Sequence, residues 1–237
     1  MVGMYVWYAK QVAHDLLTAI AILSTHQSHP TISTEEAIIN IQGYLKKWGK
    51  QKLRFHASDM ILTVMSDASL GSEKENNNSH RSRGGYFMYL GTTDPYAING
   101  PIVVHTGILP GVPVSAAEAK IVQNLDTGKA ILYTRRLLDD MGYPQPTTVI
   151  FTDNMCSKEY ANDTIKGTKL RHIDRRNEWL KHMVSIKEFK LLYIKTEYNI
   201  ADFFTKLMSK QRHEYLLSFI LTKGRILKLS TQKILYQ

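Results

Sequence analysis

Cysteine is nearly absent from this 237-residue sequence, which contains only Cys156. A single cysteine excludes an intramolecular disulfide and a zinc site built from several cysteines, and it is typical of a reducing, intracellular setting. No segment approaches the roughly 18 uninterrupted apolar residues that a membrane-spanning helix requires. The N-terminus lacks the basic stretch and the small-residue cleavage site of a signal peptide. We therefore expect an intracellular protein without a membrane partner, located in the cytoplasm, a virus-like particle or the nucleus.

Acidic residues are outnumbered by basic ones. The chain has 21 Asp and Glu against 30 Lys and Arg, a net charge of +9, and a pI near 9.4. Neutralising the phosphates of a polyanion releases counterions, so a basic protein of this size favours a nucleic-acid partner. Apolar residues make up 43% of the chain, which is typical of a globular protein and excludes a disordered one.

Residues 1–58 are predicted to form two helices. The first contains Val12–Ser24, and the second is predicted to be capped by Thr34 because its apolar residues then follow at helical spacing. The second helix ends in a basic run consisting of Lys46, Lys47, Lys50, Lys52 and Arg54. This run is either a solvated helix end whose cations suit the helix dipole, or part of the surface that contacts a polyanion.

From residue 59 the predicted elements follow the order β, β, β, α, β, α, α, β, α, which indicates a mixed sheet with helices packed on it. Gly71–Arg83 is polar and is predicted to be an exposed loop between the first two strands. The predicted strands are Met60–Met65, Gly84–Leu90, Ile102–His105, Thr147–Thr152 and Phe189–Ile194, and the predicted helices are Ser115–Met141, Cys156–Ala161, Leu170–Val184 and Ile200–Met208.

Four carboxylates fall at the ends of these elements. Asp67 and Asp153 are predicted to close strands, and Glu118 and Asp202 lie in the first turns of predicted helices. Each position alone is typical of an ordinary turn or cap residue. Together they can converge on one edge of a mixed sheet, where their mutual repulsion favours bound cations or raised pKa values. Carboxylate oxygens are the ligands that Mg²⁺ prefers.

An ordered set of short motifs identifies a family that this sequence resembles. Over residues 1–210 the chain resembles the C-terminal part of a copia-type retrotransposon polyprotein, namely the end of the reverse transcriptase and its ribonuclease H domain. The matching stretches are Val2-Gly3-Met4, His14-Asp15-Leu16, Pro30-Thr31, Tyr44-Leu45-Lys46, Ser66-Asp67-Ala68-Ser69, Gly84-Gly85-Tyr86, Ser115-Ala116-Ala117-Glu118-Ala119, Arg135-Arg136-Leu137-Leu138, Thr152-Asp153-Asn154, Gly167-Thr168-Lys169, His172-Ile173-Asp174, Asn199-Ile200-Ala201-Asp202 and Thr205-Lys206.

The resemblance implies a fold, an activity and partners. It implies an α/β, RNase H-like mixed five-stranded sheet with flanking helices over residues 59–208, preceded by a helical connection segment (1–58) and followed by a basic helical tail (209–237). The implied activity is endonucleolytic hydrolysis of the RNA strand of an RNA–DNA hybrid by two Mg²⁺ ions, for which Mn²⁺ can substitute. The implied partners are the hybrid and the polymerase part of the same polyprotein. The Tyr-x-Asp-Asp motif of the polymerase is absent from the sequence.

The resemblance also implies site residues. Asp67, Asp153 and Asp202 would be catalytic, metal-binding carboxylates, and Glu118 is predicted to be the fourth. The nucleic-acid contacts are predicted to be Asn154 and the basic residues Lys169, Arg171, Arg175 and Arg176.

The fourth carboxylate leaves two alternatives open. The related family usually has Glu-Ala-Glu where this chain has Glu118-Ala119-Lys120, and a gapless count from Arg135 places Lys120 at the catalytic position. Lys120 could then occupy the cation site itself and leave a nucleic-acid-binding remnant without activity. Helix phase favours Glu118 instead, because Ile121, Val122 and Leu125 share its face and should point toward the sheet. Two residues turn a helix by about 200°, so both side chains cannot enter one site.

Overall fold

The computed structural model describes residues 2–74, 80–162, 175–221 and 227–228, and for Lys74, His80, residues 175–177 and residues 227–228 it describes the backbone alone. The helices are α1 (Val2–Gln11), α2 (Leu17–Ser24), α3 (Ile32–Trp48), α4 (Ala116–Asp140), α5 (Met155–Ala161), α6 (Arg175–Ser185) and α7 (Lys210–Ile220). Short 3₁₀ helices span His14–Leu16, Thr196–Tyr198 and Ile200–Phe204. The strands are β1 (Ile61–Lys74), β2 (His80–Gly91), β3 (Ala97–Ile98), β4 (Pro101–Ile108), β5 (Thr148–Thr152), β6 (Phe189–Tyr193) and β7 (Leu227–Lys228).

Five strands form one mixed sheet in the order β4-β2-β1-β5-β6. The pairs β1–β2 and β2–β4 are antiparallel, whereas β1–β5 and β5–β6 are parallel. Strands β3 and β7 form a separate two-stranded pair. The predicted architecture, a five-stranded mixed sheet flanked by helices and preceded by a helical segment, is confirmed.

The two faces of the sheet are covered by different helices, because successive strand residues point to opposite faces. Leu62 and Val64 of β1 pack in the core that contains α4 and α6. Met65 of the same strand packs in a larger core that includes residues of α1, α2, α7 and the 3₁₀ helix Ile200–Phe204. The N-terminal helices therefore share a core with the sheet. The proposed boundaries at residues 58 and 208 stay predictions.

Two glycines on β2 allow other elements to approach the sheet closely. Gly85 lies opposite Asp67 across the β1–β2 ladder. A β-carbon at Gly85 would lie 2.7 Å from Cβ of Phe204, and one at Gly84 would overlap the side chain of Gln123 on α4. Because real side chains cannot occupy such space, these glycines allow α4 and the 3₁₀ helix that contains Asp202 to approach β1 and β2 from opposite faces.

Several local predictions are wrong. Helix α3 begins at Ile32, and its N-cap is Thr31, whose side chain accepts from the amide of Thr34. Residues 71–74 and 80–83 of the predicted loop are strand, because β1 continues to Lys74 and β2 begins at His80, and residues 75–79 lie outside the described residues. Asp67 consequently lies inside a strand. The predicted helix Ile200–Met208 is a five-residue 3₁₀ helix, and α7 begins only at Lys210.

Candidate active site

Three of the four predicted carboxylates come together. Asp67, Asp153 and Asp202 each offer an oxygen, and these oxygens all lie within 4.8 Å of one another. The pairing of β1 with β5 explains the first two, since Met65 is in register with Phe151 and each aspartate follows two residues later along parallel strands. Residues two apart on a strand share a face, so Asp67 lies on the face of the sheet that packs against the 3₁₀ helix Ile200–Phe204, and Asp153 directly follows the end of β5.

Asp202 is placed by the segment that begins at Asn199. The Asn199 side chain accepts from the amide of Ala201 at 3.2 Å and donates from Nδ2 to the carbonyl of Ser66 at 3.2 Å. One buried amide thus caps the 3₁₀ helix and fixes it to β1 beside Asp67. Asp202 is 3% exposed, so its carboxylate is buried near another negative group and needs compensation.

Cations of the chain supply that compensation. Lys120 Nζ lies 3.0 Å from Asp67 Oδ1 and donates a short hydrogen bond to Asp153 Oδ1. Lys206 Nζ lies 2.7 Å from Asp202 Oδ1, and Arg212 Nη2 lies 3.4 Å from its Oδ2. Within the described residues, three carboxylates therefore face three basic side chains.

Two threonine hydroxyls complete the surroundings. Thr205 Oγ1 donates to Asp67 Oδ2 at 2.7 Å, and Thr196 Oγ1 donates to Asp153 Oδ2 at 2.9 Å. Arg212 also donates to the carbonyls of Thr196 and Glu197, which ties α7 to the segment that carries Thr196. No site role was predicted for these residues, although Thr205 falls in one of the matching stretches. Arg212 lies in the predicted tail, and a hydroxyl or guanidinium partner has no spacing signature.

The orientation predicted for Glu118 is wrong. Its carboxylate accepts from the amide of Val114 at 2.8 Å, and its own amide donates to Ser115 Oγ at 3.1 Å. Glu118 is thus part of a reciprocal cap at the start of α4, and Lys120 is the residue of the triplet that reaches the aspartates.

The prediction from helix phase failed because α4 buries polar residues as well as its apolar side. Gln123, Asn124 and Thr127 are also buried, and all three side chains are hydrogen-bonded. Two of these bonds run to other elements: Thr127 Oγ1 lies 3.1 Å from Ser66 Oγ on β1, and Asn124 Nδ2 donates to Ser157 Oγ on α5. Lys120 lies on the same side of α4 as these three residues. This polar side can face the protein interior because its polar groups find hydrogen-bond partners there.

The electrostatics follow from burial. Desolvation raises the pKa of the Asp67 carboxyl; Lys120 acts against this rise, and Asp202 adds to it. Burial lowers the pKa of Lys120, but Asp67 and Asp153 together outweigh that effect and raise it. Lys120 is consequently held in its cationic form between two carboxylates.

The donor set meets one requirement for a hard divalent cation and violates another. Asp67, Asp153 and Asp202 supply clustered carboxylate oxygens of the type that Mg²⁺ and Mn²⁺ bind. The ammonium of Lys120, however, already contacts two of the three carboxylates. A cation bridging Asp67 and Asp153 would require this ammonium to move away.

The predicted nucleic-acid contacts are described only in part. Asn154 follows Asp153 and caps α5, with its Oδ1 accepting from the amide of Ser157 at 2.7 Å. Lys169 and Arg171 lie outside the described residues, and Arg175 and Arg176 are the first two residues of α6 with only their backbone described. Their binding roles stay predictions. Among the described helices, none is both apolar and long enough to traverse a bilayer.

No family model matches the chain. The sequence is 28% identical over 200 residues to the retrovirus-related Pol polyprotein from transposon TNT 1-94 of Nicotiana tabacum, covering 84% of this chain and 14% of that protein. It is 23% identical to the Pol polyprotein from transposon RE1 of Arabidopsis thaliana, covering 83% and 13%. The chain thus spans about a seventh of these curated relatives. Their match confirms the resemblance to copia-type polyproteins.

Solved structures of ribonuclease H domains are similar to this chain, with low sequence identity. LC11-RNase H1 in complex with an RNA/DNA hybrid is 9% identical, with a TM-score of 0.43 over 61% of this chain and 93% of that chain. RNase H1 from Halobacterium salinarum is 10% identical, with a TM-score of 0.42 and the same coverage. The PFV RNase H domain is 15% identical, with a TM-score of 0.40 over 69% and 93%.

Proposed function

We propose, from the similarity to copia-type Pol polyproteins, that this chain is the ribonuclease H part of such a polyprotein and acts on RNA–DNA hybrids. The observation that carries the proposal is the convergence of Asp67, Asp153 and Asp202, whose carboxylate oxygens lie within 4.8 Å of one another. Three carboxylates drawn from distant parts of a chain persist where cations compensate them. The basic character of the chain agrees with a polyanionic substrate.

Asp67, Asp153 and Asp202 would hold the divalent cations. Bound Mg²⁺ or Mn²⁺ would activate a water for attack on an RNA phosphate and stabilise the leaving oxygen. Thr205 and Thr196 orient the carboxylates of Asp67 and Asp153 by the hydrogen bonds that they donate. The 2′-hydroxyl is the group by which the RNA strand would be told from DNA.

Lys120 favours a second candidate, a hybrid-binding protein that does not cleave. Its ammonium contacts Asp67 and Asp153 and compensates them without a metal ion. In the first candidate, divalent cations held by the aspartates would replace this ammonium, and the chain would cleave hybrid. In the second, they do not displace it, and the site binds hybrid only.

The deciding experiment measures cleavage of the labelled RNA strand of a hybrid in Mg²⁺, in Mn²⁺ and in EDTA. We expect Lys120→Glu to increase cleavage, because it removes the competing ammonium and adds a carboxylate beside Asp67 and Asp153. Lys129→Glu is the matched control, since Lys129 is exposed on the same helix and should change nothing.

The outcomes separate the candidates. Cleavage by the unchanged protein that disappears in Asp153→Asn supports hydrolysis. Hybrid binding without cleavage, with cleavage gained in Lys120→Glu, supports the second candidate. If Lys120→Glu neither cleaves hybrid nor binds Mn²⁺ by calorimetry, the metal centre is wrong; if hybrid is bound no better than duplex DNA, both candidates are wrong.

A further inference from the structure

The basic run at the end of α3 borders a groove that the proposed reaction does not use. The groove lies between α3 and α7 and has a volume of about 630 Å³, which falls within the range of about 300–1,000 Å³ that ligand pockets occupy. Its lining is aromatic and polar as well as apolar, and includes Tyr44, Lys47, Trp48, Lys210, His213 and Glu214.

Trp48 is the aromatic group at this groove that remains accessible. It is 46% exposed, and Nζ of Lys47 lies 5.4 Å from the centre of its ring. Tyr44 and His213, by contrast, are engaged in the fold: the Tyr44 hydroxyl donates to Asp15 at 2.6 Å, and the His213 ring packs against Phe203. An accessible indole beside a lysine is the combination on which nucleic-acid bases stack while their phosphates are neutralised.

The charges around the groove favour an anion. Lys47 and Lys210 line it against one acid, Glu214, which lies 4.0 Å from Lys210. Three more exposed lysines lie in or just after the end of α3, namely Lys46, Lys50 and Lys52. Helix α3 has its acidic residues near its N-terminus, and its last turn is basic. The positive charge is therefore concentrated at the end that borders the groove.

A smaller cavity shares part of the lining of the groove and includes one residue that contacts the carboxylate cluster. This cavity has a volume of about 250 Å³ and shares Tyr44 and His213 with the groove. It is also lined by Lys206, whose Nζ lies 2.7 Å from Asp202 Oδ1.

We propose that the groove between α3 and α7 binds a single-stranded nucleic-acid overhang that extends from the hybrid, with a base stacked on Trp48 and phosphates near Lys47 and Lys210. The occupant is single-stranded because a flat base must be unpaired to stack on an indole ring. The proposed function supplies only the hybrid from which the overhang extends.

The test compares the affinity of the full chain for two labelled ligands in EDTA, where no cleavage can occur. One is a blunt RNA–DNA hybrid, and the other is the same hybrid with an overhang of about eight nucleotides, a length typical of single-strand sites. We expect the overhang to strengthen binding about tenfold, which corresponds to one stacked base. Trp48→Leu should abolish this gain and Trp48→Phe should retain most of it, since phenylalanine also stacks.

Two controls make the test specific. Trp7→Leu removes a tryptophan that is 66% exposed on α1 and does not line the groove, so it should leave the overhang gain unchanged. Lys47→Gln should reduce the slope of log affinity against log salt by about one for the overhang ligand, whereas Lys129→Gln on α4 should not.

Several results would overturn the inference. Equal affinity for the two ligands would show that the groove does not bind the overhang. An equal loss of the overhang gain in the Trp48 and Trp7 variants would show that the gain does not depend on the groove. If the overhang gain persists in folded Trp48→Leu, the overhang does not bind in the groove, and the groove has another occupant, such as a protein segment. Binding of the blunt hybrid in the same experiment reports on the proposed function separately, so the two failures are distinguishable.

Discussion

Strand β1 carries two buried carboxylates whose surroundings differ. Glu73 pairs with a single opposite charge, since its Oε1 lies 2.6 Å from Nε of Arg83 and the two side chains are 8% and 2% exposed. Asp67, six residues earlier on the same strand, lies beside two further carboxylates and shares Lys120 with one of them. The first arrangement is a matched pair, whereas the second gathers like charges.

The difference separates a charge pair that the fold assembles locally from the cluster that we propose as a site. Glu73 and Arg83 lie on adjacent strands of one hairpin, and Arg83 also donates to Thr106 on β4 at 3.1 Å, so the pair is assembled locally. The aspartates come from three distant segments and are compensated by Lys120, Lys206 and Arg212. An arrangement that concentrates like charge is unfavourable for stability and is therefore evidence of chemistry.

The largest effect should come from breaking the matched pair. Glu73→Gln removes one charge and leaves the buried Arg83 guanidinium uncompensated, so we expect the free energy of unfolding to fall by about 3 kcal/mol. Urea denaturation followed by circular dichroism measures the change.

The double variant Glu73→Met, Arg83→Met is the matched control. It replaces both charges with apolar groups of similar length and should recover most of the lost stability, because no buried charge then lacks a partner. If the single and double variants are equally destabilised, packing and not charge accounts for the loss.

In the carboxylate cluster, neutralising one carboxylate is expected to increase the free energy of unfolding. Burial, reinforced by Asp202, raises the pKa of Asp67, so its ionised form is disfavoured in the folded protein. Asp67→Asn removes that charge while Lys120 keeps Asp153 as a partner. We expect the free energy of unfolding in EDTA to rise by about 1 kcal/mol, as is common where a site sacrifices stability for function. Thermal denaturation measures it.

Asp126→Asn serves as the comparison, since Asp126 is exposed on α4 and should leave stability nearly unchanged. A loss of stability in Asp67→Asn that exceeds the loss in Asp126→Asn would show that the contacts of Asp67 with Lys120 and Thr205 outweigh its desolvation. In that case the contrast with Glu73 disappears.

The sequence predicted the sheet and three members of the cluster because these depend on periodic patterns and on short motifs. Asp67 and Asp153 follow runs of apolar residues that form neighbouring parallel strands, and that arrangement alone brings them together. The extent of the strands was harder to predict. The polar segment 71–83 resembles a loop in composition, but its residues Glu73 and Arg83 are buried as an ion pair.

The triplet Glu118-Ala119-Lys120 shows where one-dimensional reasoning fails. Helix phase predicts the inward residue correctly only where a helix buries its apolar side alone. In α4 a polar side is buried too, because Gln123, Asn124 and Thr127 are hydrogen-bonded. Whether a polar side chain is buried depends on the partners that other elements supply, and those partners come from segments far away in the sequence.

A third type of buried ionisable group completes the comparison. His14 lies between α1 and α2 and is 6% exposed, and its Nδ1 donates to the carbonyl of Ala9 at 3.0 Å. Burial lowers the pKa of His14 below the ordinary 6.5, although the bond to Ala9 and the charge of Asp15 act in the other direction. Unlike Glu73 or Asp67, this group avoids desolvation of a charge by remaining neutral.

The last expected effect is therefore a dependence of stability on pH through His14. Below pH 6.5 the unfolded chain binds a proton at this histidine that the folded chain does not, so stability falls as the pH decreases, by at most about 1.4 kcal/mol per pH unit.

Because burial also lowers the pKa of His105, the measurement must be a difference between the unchanged protein and a His14 variant. Urea denaturation at about pH 7.5 and about pH 5.5 should show a smaller loss in His14→Gln than in the unchanged protein, since glutamine can donate to Ala9 without titrating. His29→Gln, at an exposed position, should leave the loss unchanged, and an identical loss in all three proteins would show that His14 titrates alike in the folded and unfolded chain.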